Sequence, residues 1–268
     1  MQFFIYVIQV DEVEIIEIVE MDVKDELTNF SFDPNKVKIV RGSALSAING
    51  ETGEYGVPAI EKLVETLDSE IEPPKRDFDK PFLMGVKGVF SVGGRGTVAT
   101  GTVVHGCVKV GDPLEIVGMR RESKPLKTAC TGVEMFNKKL DRAEPGDDCG
   151  ILLRGIKRDD LRRGQVLCAP GTVTTSISFK ASVYLLTPED GGREKGFKTG
   201  YRPQFFFRTA DVTGDISLPS DVEIAVPGDN IEIETRLILP LALNKGDSFS
   251  IREGGKTVGH GIVSEITG

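Results

Sequence analysis

Val89-Phe90-Ser91-Val92-Gly93-Gly94-Arg95-Gly96-Thr97-Val98-Ala99-Thr100-Gly101-Thr102-Val103-Val104-His105-Gly106 decides how the chain is read. Apolar residues alternate with small or polar ones through Val98 to Val103, the period of a half-buried strand. Gly93-Gly94 supplies a tight turn, because glycine reaches positive φ without a Cβ clash. The stretch from Val108 to Val117 is apolar again, broken by Gly111-Asp112-Pro113. Short strands at this spacing, separated by glycine turns, predict a closed or nearly closed β-barrel.

Beyond this block the same style returns. Strands are expected over 176–186, 204–213, 230–239, 247–252 and 261–266. The turns between them are Glu189-Asp190-Gly191-Gly192, Pro227-Gly228-Asp229, Lys245-Gly246-Asp247 and Gly254-Gly255. Towards the N-terminus the period changes. Residues 1–10 read as a buried strand, and over 11–30 Val13, Ile16, Val19, Val23 and Leu27 form a helical apolar stripe. A second short strand follows at 36–40, then a helix at 57–67 with Pro58 in its first turn. Strand, helix, strand, helix is a parallel α/β pattern, and two strands are few for a parallel sheet. The segment therefore reads as the last part of a larger sheet. Glu70 to Asp79 is charged, carries Pro73-Pro74, and reads as an extended linker. The expected division is an α/β remnant at 1–69, a linker at 70–79, and β-barrels at 80–170 and 171–268. The fold class is mostly β, with a partial parallel α/β segment in front.

Of the 268 residues 39% are hydrophobic and 28% charged, which suits a globular chain. The net charge of −8 offers no bulk attraction for nucleic acid, so an RNA contact would need a local basic face. No apolar run approaches the roughly 20 residues of a spanning helix, and no membrane insertion is expected. Cys107, Cys130, Cys149 and Cys168 form no C-x-x-C pair and sit among apolar strand residues. They are expected as buried thiols, and no metal site is expected.

Several strings together resemble the elongation factor Tu family of translational GTPases. They include Gly94-Arg95-Gly96-Thr97-Val98, Thr131-Gly132-Val133-Glu134-Met135-Phe136, Leu152-Leu153-Arg154-Gly155-Ile156, Gly200-Tyr201-Arg202-Pro203-Gln204-Phe205 and Arg252-Glu253-Gly254-Gly255-Lys256-Thr257-Val258-Gly259. The resemblance is dense from Lys80 to Gly268 and implies that the two β blocks are the family's second and third domains. Residues 1–69 resemble only the tail of its GTPase domain, and the closest likeness is to mitochondrial members.

The resemblance also implies sites. Asp11 falls where the family's guanine-binding aspartate stands, and Ser43-Ala44-Leu45 matches the loop whose backbone reads the guanine O6. Ile8 and Gln9 stand where that motif has Asn and Lys, and no G-x-x-x-x-G-K-[ST] occurs anywhere. The expectation is a degenerate nucleotide site, no catalytic residues, no GTPase activity and no cofactor. GTP and magnesium would enter only with a separately supplied GTPase part. For the aminoacyl end of tRNA, Glu134 matches the residue that meets the terminal ribose and base. Phe90 and Val92 match its apolar wall, and Arg95 and Thr100 lie in the same strand pair. Asp148 stands where the family has asparagine, Lys87-Gly88 where it has an acidic pair, and Thr102 where it has arginine. These altered charges are expected to weaken the site. Arg202, Arg252 and Lys256 resemble the contacts to the tRNA stem.

Two functional expectations follow. The first is a non-catalytic accessory or structural subunit of a larger mitochondrial complex, ribosomal in character. Protein subunits would cover the truncated sheet and the third domain, with tRNA or rRNA as nucleic-acid partners. The second is an elongation factor that delivers aminoacyl-tRNA, its GTP binding supplied by another GTPase part. A free two-barrel module without nucleic acid is the blandest reading.

Overall fold

A computed structural model describes residues 4–7, 13–30, 32–94, 96–120 and 124–268. The chain divides into two compact units, Met1–Lys75 and Arg76–Gly268.

In the N-terminal unit β1 (Phe4–Val7) and β2 (Lys38–Arg41) pair in parallel, with Phe4 opposite Lys38 and Val7 opposite Arg41. Helix α1 (Val13–Asn29) makes the connection that parallel strands require. Ile16 is buried, while Glu20 reaches Arg41 of β2 at 2.5 Å. That hydrogen bond from the guanidinium holds the Glu20 carboxyl below the usual carboxylate range. A short helix α2 (Ala44–Ile48) precedes α3 (Val57–Glu70). α3 runs a turn beyond the expected 67, because Pro73 is the first residue that disfavours helix and α3 ends just before it. Of the strand expected over 1–10, residues 1–3 and 8–10 lie outside the described residues.

The first barrel contains β3 (Leu83–Val92), β4 (Gly96–His105), β5 (Val108–Lys109), β6 (Pro113–Val117), β7 (Leu126–Met135), β8 (Lys138–Leu140), β9 (Arg142–Ala143), β10 (Asp148–Leu153) and β11 (Val166–Cys168). The main sheet runs β10-β4-β3-β11-β6-β7-β8, and β10 also pairs with β7, which closes it on itself. Met84, Val86, Ile116, Val133 and Ile151 fill the interior. In β4 the buried positions are Thr97, Ala99, Gly101 and Val103, so Val98, Thr100 and Thr102 turn to the outer face. The small residues point inward because the strands approach closely: a Cβ on Gly101 would lie 2.1 Å from the Gly85 carbonyl. The Asp77 carbonyl accepts the Gly106 amide at 2.8 Å, so the end of the stretch read as a linker is tied to this barrel.

The second barrel is β12 (Thr175–Leu185), β13 (Gln204–Phe207), β14 (Ala210–Ser217), β15 (Asn230–Ala242), β16 (Ser248–Glu253) and β17 (Lys256–Ile266). It closes in the order β12-β15-β14-β13-β16-β17. Phe179 stands edge-on to Phe205, Phe207 and Phe249 at 6.0, 5.5 and 5.5 Å in its core. The single strand expected over 204–213 is instead a hairpin turning at Arg208-Thr209. Arg208 takes φ of 49° there, and its guanidinium donates to the Ala242 carbonyl at 2.9 Å and to Asp247 at 2.6 Å. Tertiary hydrogen bonds hold a turn that carries no glycine, proline or asparagine.

The two barrels share an apolar seam in which Leu83, Val117, Val166 and Cys168 meet Ala242. Met119 of the first barrel enters the second barrel's core, and its amide donates to the Pro240 carbonyl at 2.7 Å.

Candidate nucleic-acid interface

On the outer face of the first barrel one row of residues crosses four strands. Gly88 of β3 is opposite Thr100 of β4, Thr100 opposite Gly150 of β10, and Gly150 opposite Glu134 of β7. Direct partners point to the same face of a sheet. The two glycines lower the floor of the row, and neighbouring side chains close on it. A Cβ on Gly88 would come within 2.9 Å of Thr100 Oγ1 and 3.2 Å of the Phe90 ring. A Cβ on Gly150 would come within 3.0 Å of Val98 Cγ1. Phe90, Val98 and Thr100 lean over the glycine backbone, so the row is at most a shallow hollow walled by these side chains, with the half-buried Glu134 at the far end. Val92 follows Phe90 at i+2 on the same face, opposite Gly96, and both side chains are exposed.

Lys87 sits at an irregularity of β3 between Val86 and Gly88. Its ammonium reaches Asp148 at 2.8 Å, with Thr102 opposite Asp148 on β4. The two altered charges, read from sequence as separate liabilities, therefore neutralise each other at the rim. Both side chains are about half exposed, so the pair contributes about 0–1 kcal/mol and leaves no buried unpaired charge.

Sequence reasoning missed the Lys87–Asp148 pairing and the role of Gly150. Its signal was a lone glycine within an otherwise apolar strand, which marks a close approach.

The remaining expected residues do not join this hollow. Arg252 lies over the Phe206 ring at 5.2 Å, donates to Thr257 Oγ1 at 3.1 Å, and leads into the hairpin in which Lys256 is opposite Glu253. Arg202 pairs with Asp215 at 2.9 Å. All three belong to the second barrel. Ser43 is the N-cap of α2: its hydroxyl accepts the Ser46 amide at 3.2 Å, and its own amide donates to the Tyr55 carbonyl at 2.7 Å. Ala44 and Leu45 begin that helix, and Leu45 is exposed. Asp11 and Arg95, with Ile8 and Gln9, lie outside the described residues.

Exposed basic residues gather along one connection of this acidic chain. Arg154, Lys157, Arg158 and Arg162 are exposed along the connection from β10 to β11, against Asp159 and Asp160. A broader concavity of about 680 Å³ lies on the second barrel, lined by Tyr184, Phe206, His260 and Ile262 among others, and none of the expected site residues borders it. Cys130, Cys149 and Cys168 are buried. Burial pushes the Cys149 thiol up to about 12 and the Cys168 thiol up to about 11, which removes their nucleophilic form at neutral pH. Among the described residues no helix is long and apolar enough to cross a membrane.

Comparison with known families gives two matches. Residues 96–168 match elongation factor Tu domain 2, and residues 172–267 match the elongation factor Tu C-terminal domain. Together they take in more than half of the chain.

Proposed function

We propose that this chain, which belongs to the elongation factor Tu-like family of translational GTPases, holds the adenosine end of an aminoacyl-tRNA in the hollow of its first barrel. The observation that carries this reading is the glycine floor at Gly88 and Gly150 between an aromatic wall and a carboxylate. An adenine has a flat apolar face for Phe90 and Val98 to cover, and the terminal ribose has hydroxyls that donate to Glu134. Asp148 at the rim opposes the α-ammonium of an esterified amino acid, in exchange for Lys87. The exposed arginines and lysine of 154–162 supply the local positive charge that a chain of net charge −8 otherwise lacks. The sequence has no phosphate-binding G-x-x-x-x-G-K-[ST], so GTP and magnesium are not held by these residues, and the chain binds rather than hydrolyses.

The direct test is an aminoacylated acceptor-stem minihelix titrated against the full chain. Gly150→Leu fills the hollow and should weaken binding at least tenfold. Equal binding by wild type and variant, or none by either, overturns the reading.

One observation favours a second reading, the accessory subunit of a larger mitochondrial assembly. Ile15, Ile18 and Met21 along α1, and Leu45 and Ile48 of α2, are exposed in the N-terminal unit. Apolar side chains at this density suit a protein partner. Calorimetry with GDP bears on both readings: neither expects micromolar binding by this chain alone.

A further inference from the structure

The turn between β7 and β8 is Met135-Phe136-Asn137-Lys138, and both central residues have positive φ, 49° for Phe136 and 60° for Asn137. That is the geometry of a two-residue type I′ hairpin, whose usual occupants are Asn, Asp and Gly. Asn137 conforms. Phe136 does not, because a bulky L side chain is strained in the left-handed region. Nor does the interior reward the ring: at 86% exposure Phe136 is the most exposed large apolar side chain among the described residues. Strain and exposure of an aromatic coincide at one residue, two positions from Glu134 of the hollow.

The surroundings say what the ring suits. Asn137, Lys138 and Lys139 are all exposed, and Lys139 is the cross-strand partner of Glu134. A lone aromatic ring among cations, with polar neighbours on the turn, matches a nucleobase between phosphates better than the apolar centre of a protein interface. We propose that Phe136 is a stacking platform for an unpaired nucleobase, with Lys138 and Lys139 neutralising the flanking phosphates. This contact is additional to the hollow and rests on the RNA-binding reading above. It requires no terminal ribose, so it takes an internal nucleotide of a single-stranded or looped segment.

The experiment uses the full chain and a single-stranded RNA oligonucleotide carrying an internal 2-aminopurine and a 3′-phosphate, which blocks the terminal ribose. Wild type should quench the fluorophore as it binds. Phe136→Asn suits the turn, preserves the hairpin, and should weaken binding roughly ten- to hundredfold with the quench lost. Phe136→Trp should retain both. Lys139→Ala should make the salt dependence shallower by about 0.7 in the log–log slope. A Phe136→Asn chain that binds and quenches like wild type overturns the platform and assigns the ring to a protein partner. A wild-type chain that binds the acceptor minihelix but not this probe overturns the platform alone. A chain that binds neither removes the RNA reading with it.

Discussion

Both barrels put glycines in the middle of strands, and they use them in opposite ways. In the second barrel Gly214 and Gly261 yield to the core. A Cβ on Gly261 would lie 2.4 Å from Phe249 Cζ, and one on Gly214 would lie 3.0 Å from the Phe205 ring. The missing side chains there are replaced by the rings that fill the interior. In the first barrel Gly88 and Gly150 face outward, and the side chains that close on them, Phe90, Val98 and Thr100, are the walls of the hollow. The same local signal, a glycine within a strand, is structural in one barrel and a candidate site in the other. The neighbour across the gap decides which.

The sharpest way to break this comparison is to fill both kinds of gap. Gly261→Val should overpack the second barrel and lower the unfolding free energy by about 1–3 kcal/mol, read by urea denaturation. Gly150→Leu must push aside the surface side chain of Val98, whose Cγ1 lies 3.0 Å from the new Cβ, so it should lower the urea midpoint less than Gly261→Val while losing minihelix binding at least tenfold. If the two variants fail alike, the hollow is merely part of the barrel's structure.

The buried thiols extend the comparison to pH. The thiols of Cys149 and Cys168 have folded-state values raised to about 12 and about 11 by burial, from an ordinary value of 9.0. Their neutral forms are favoured by folding, so that stability is fully present below about pH 9 and is lost as pH rises through 11 and 12. Cys149→Ala with Cys168→Ala should flatten the alkaline limb of a stability–pH profile. A native thiol-labelling reagent at pH 8 should reach the half-buried Cys107 first. The smallest effect is at the rim. Lys87→Ala should change stability by less than about 1 kcal/mol and shift minihelix affinity only a few-fold, with the difference fading in high salt.

How much of this was legible depends on the range of the interaction concerned. The β3–β4 hairpin is written locally, in the alternation of Val98–Val103 and in Gly93-Gly94. The turn at Arg208-Thr209 is not, because hydrogen bonds to Ala242 and Asp247, far along the chain, hold it. Phe90, Thr100 and Glu134 were each nominated by resemblance, but their common face depended on the register of β3, β4, β10 and β7. Lys87 and Asp148 are 61 positions apart, and only pairing across the barrel turns two altered charges into one neutral rim.

By itself the sequence determined the period of each segment, the turns that glycine and proline enforce, the absence of a phosphate-binding loop, and the likeness to elongation factor Tu. These are set by covalent geometry and by residues close in the chain. The tertiary structure alone decided which glycine gap is filled by a core ring and which is closed on by surface side chains. It also decided which face of β4 points inward, and which distant charges meet. Strand register is a property of two strands together, and a shift of one residue would have turned every side chain of the hollow into the core.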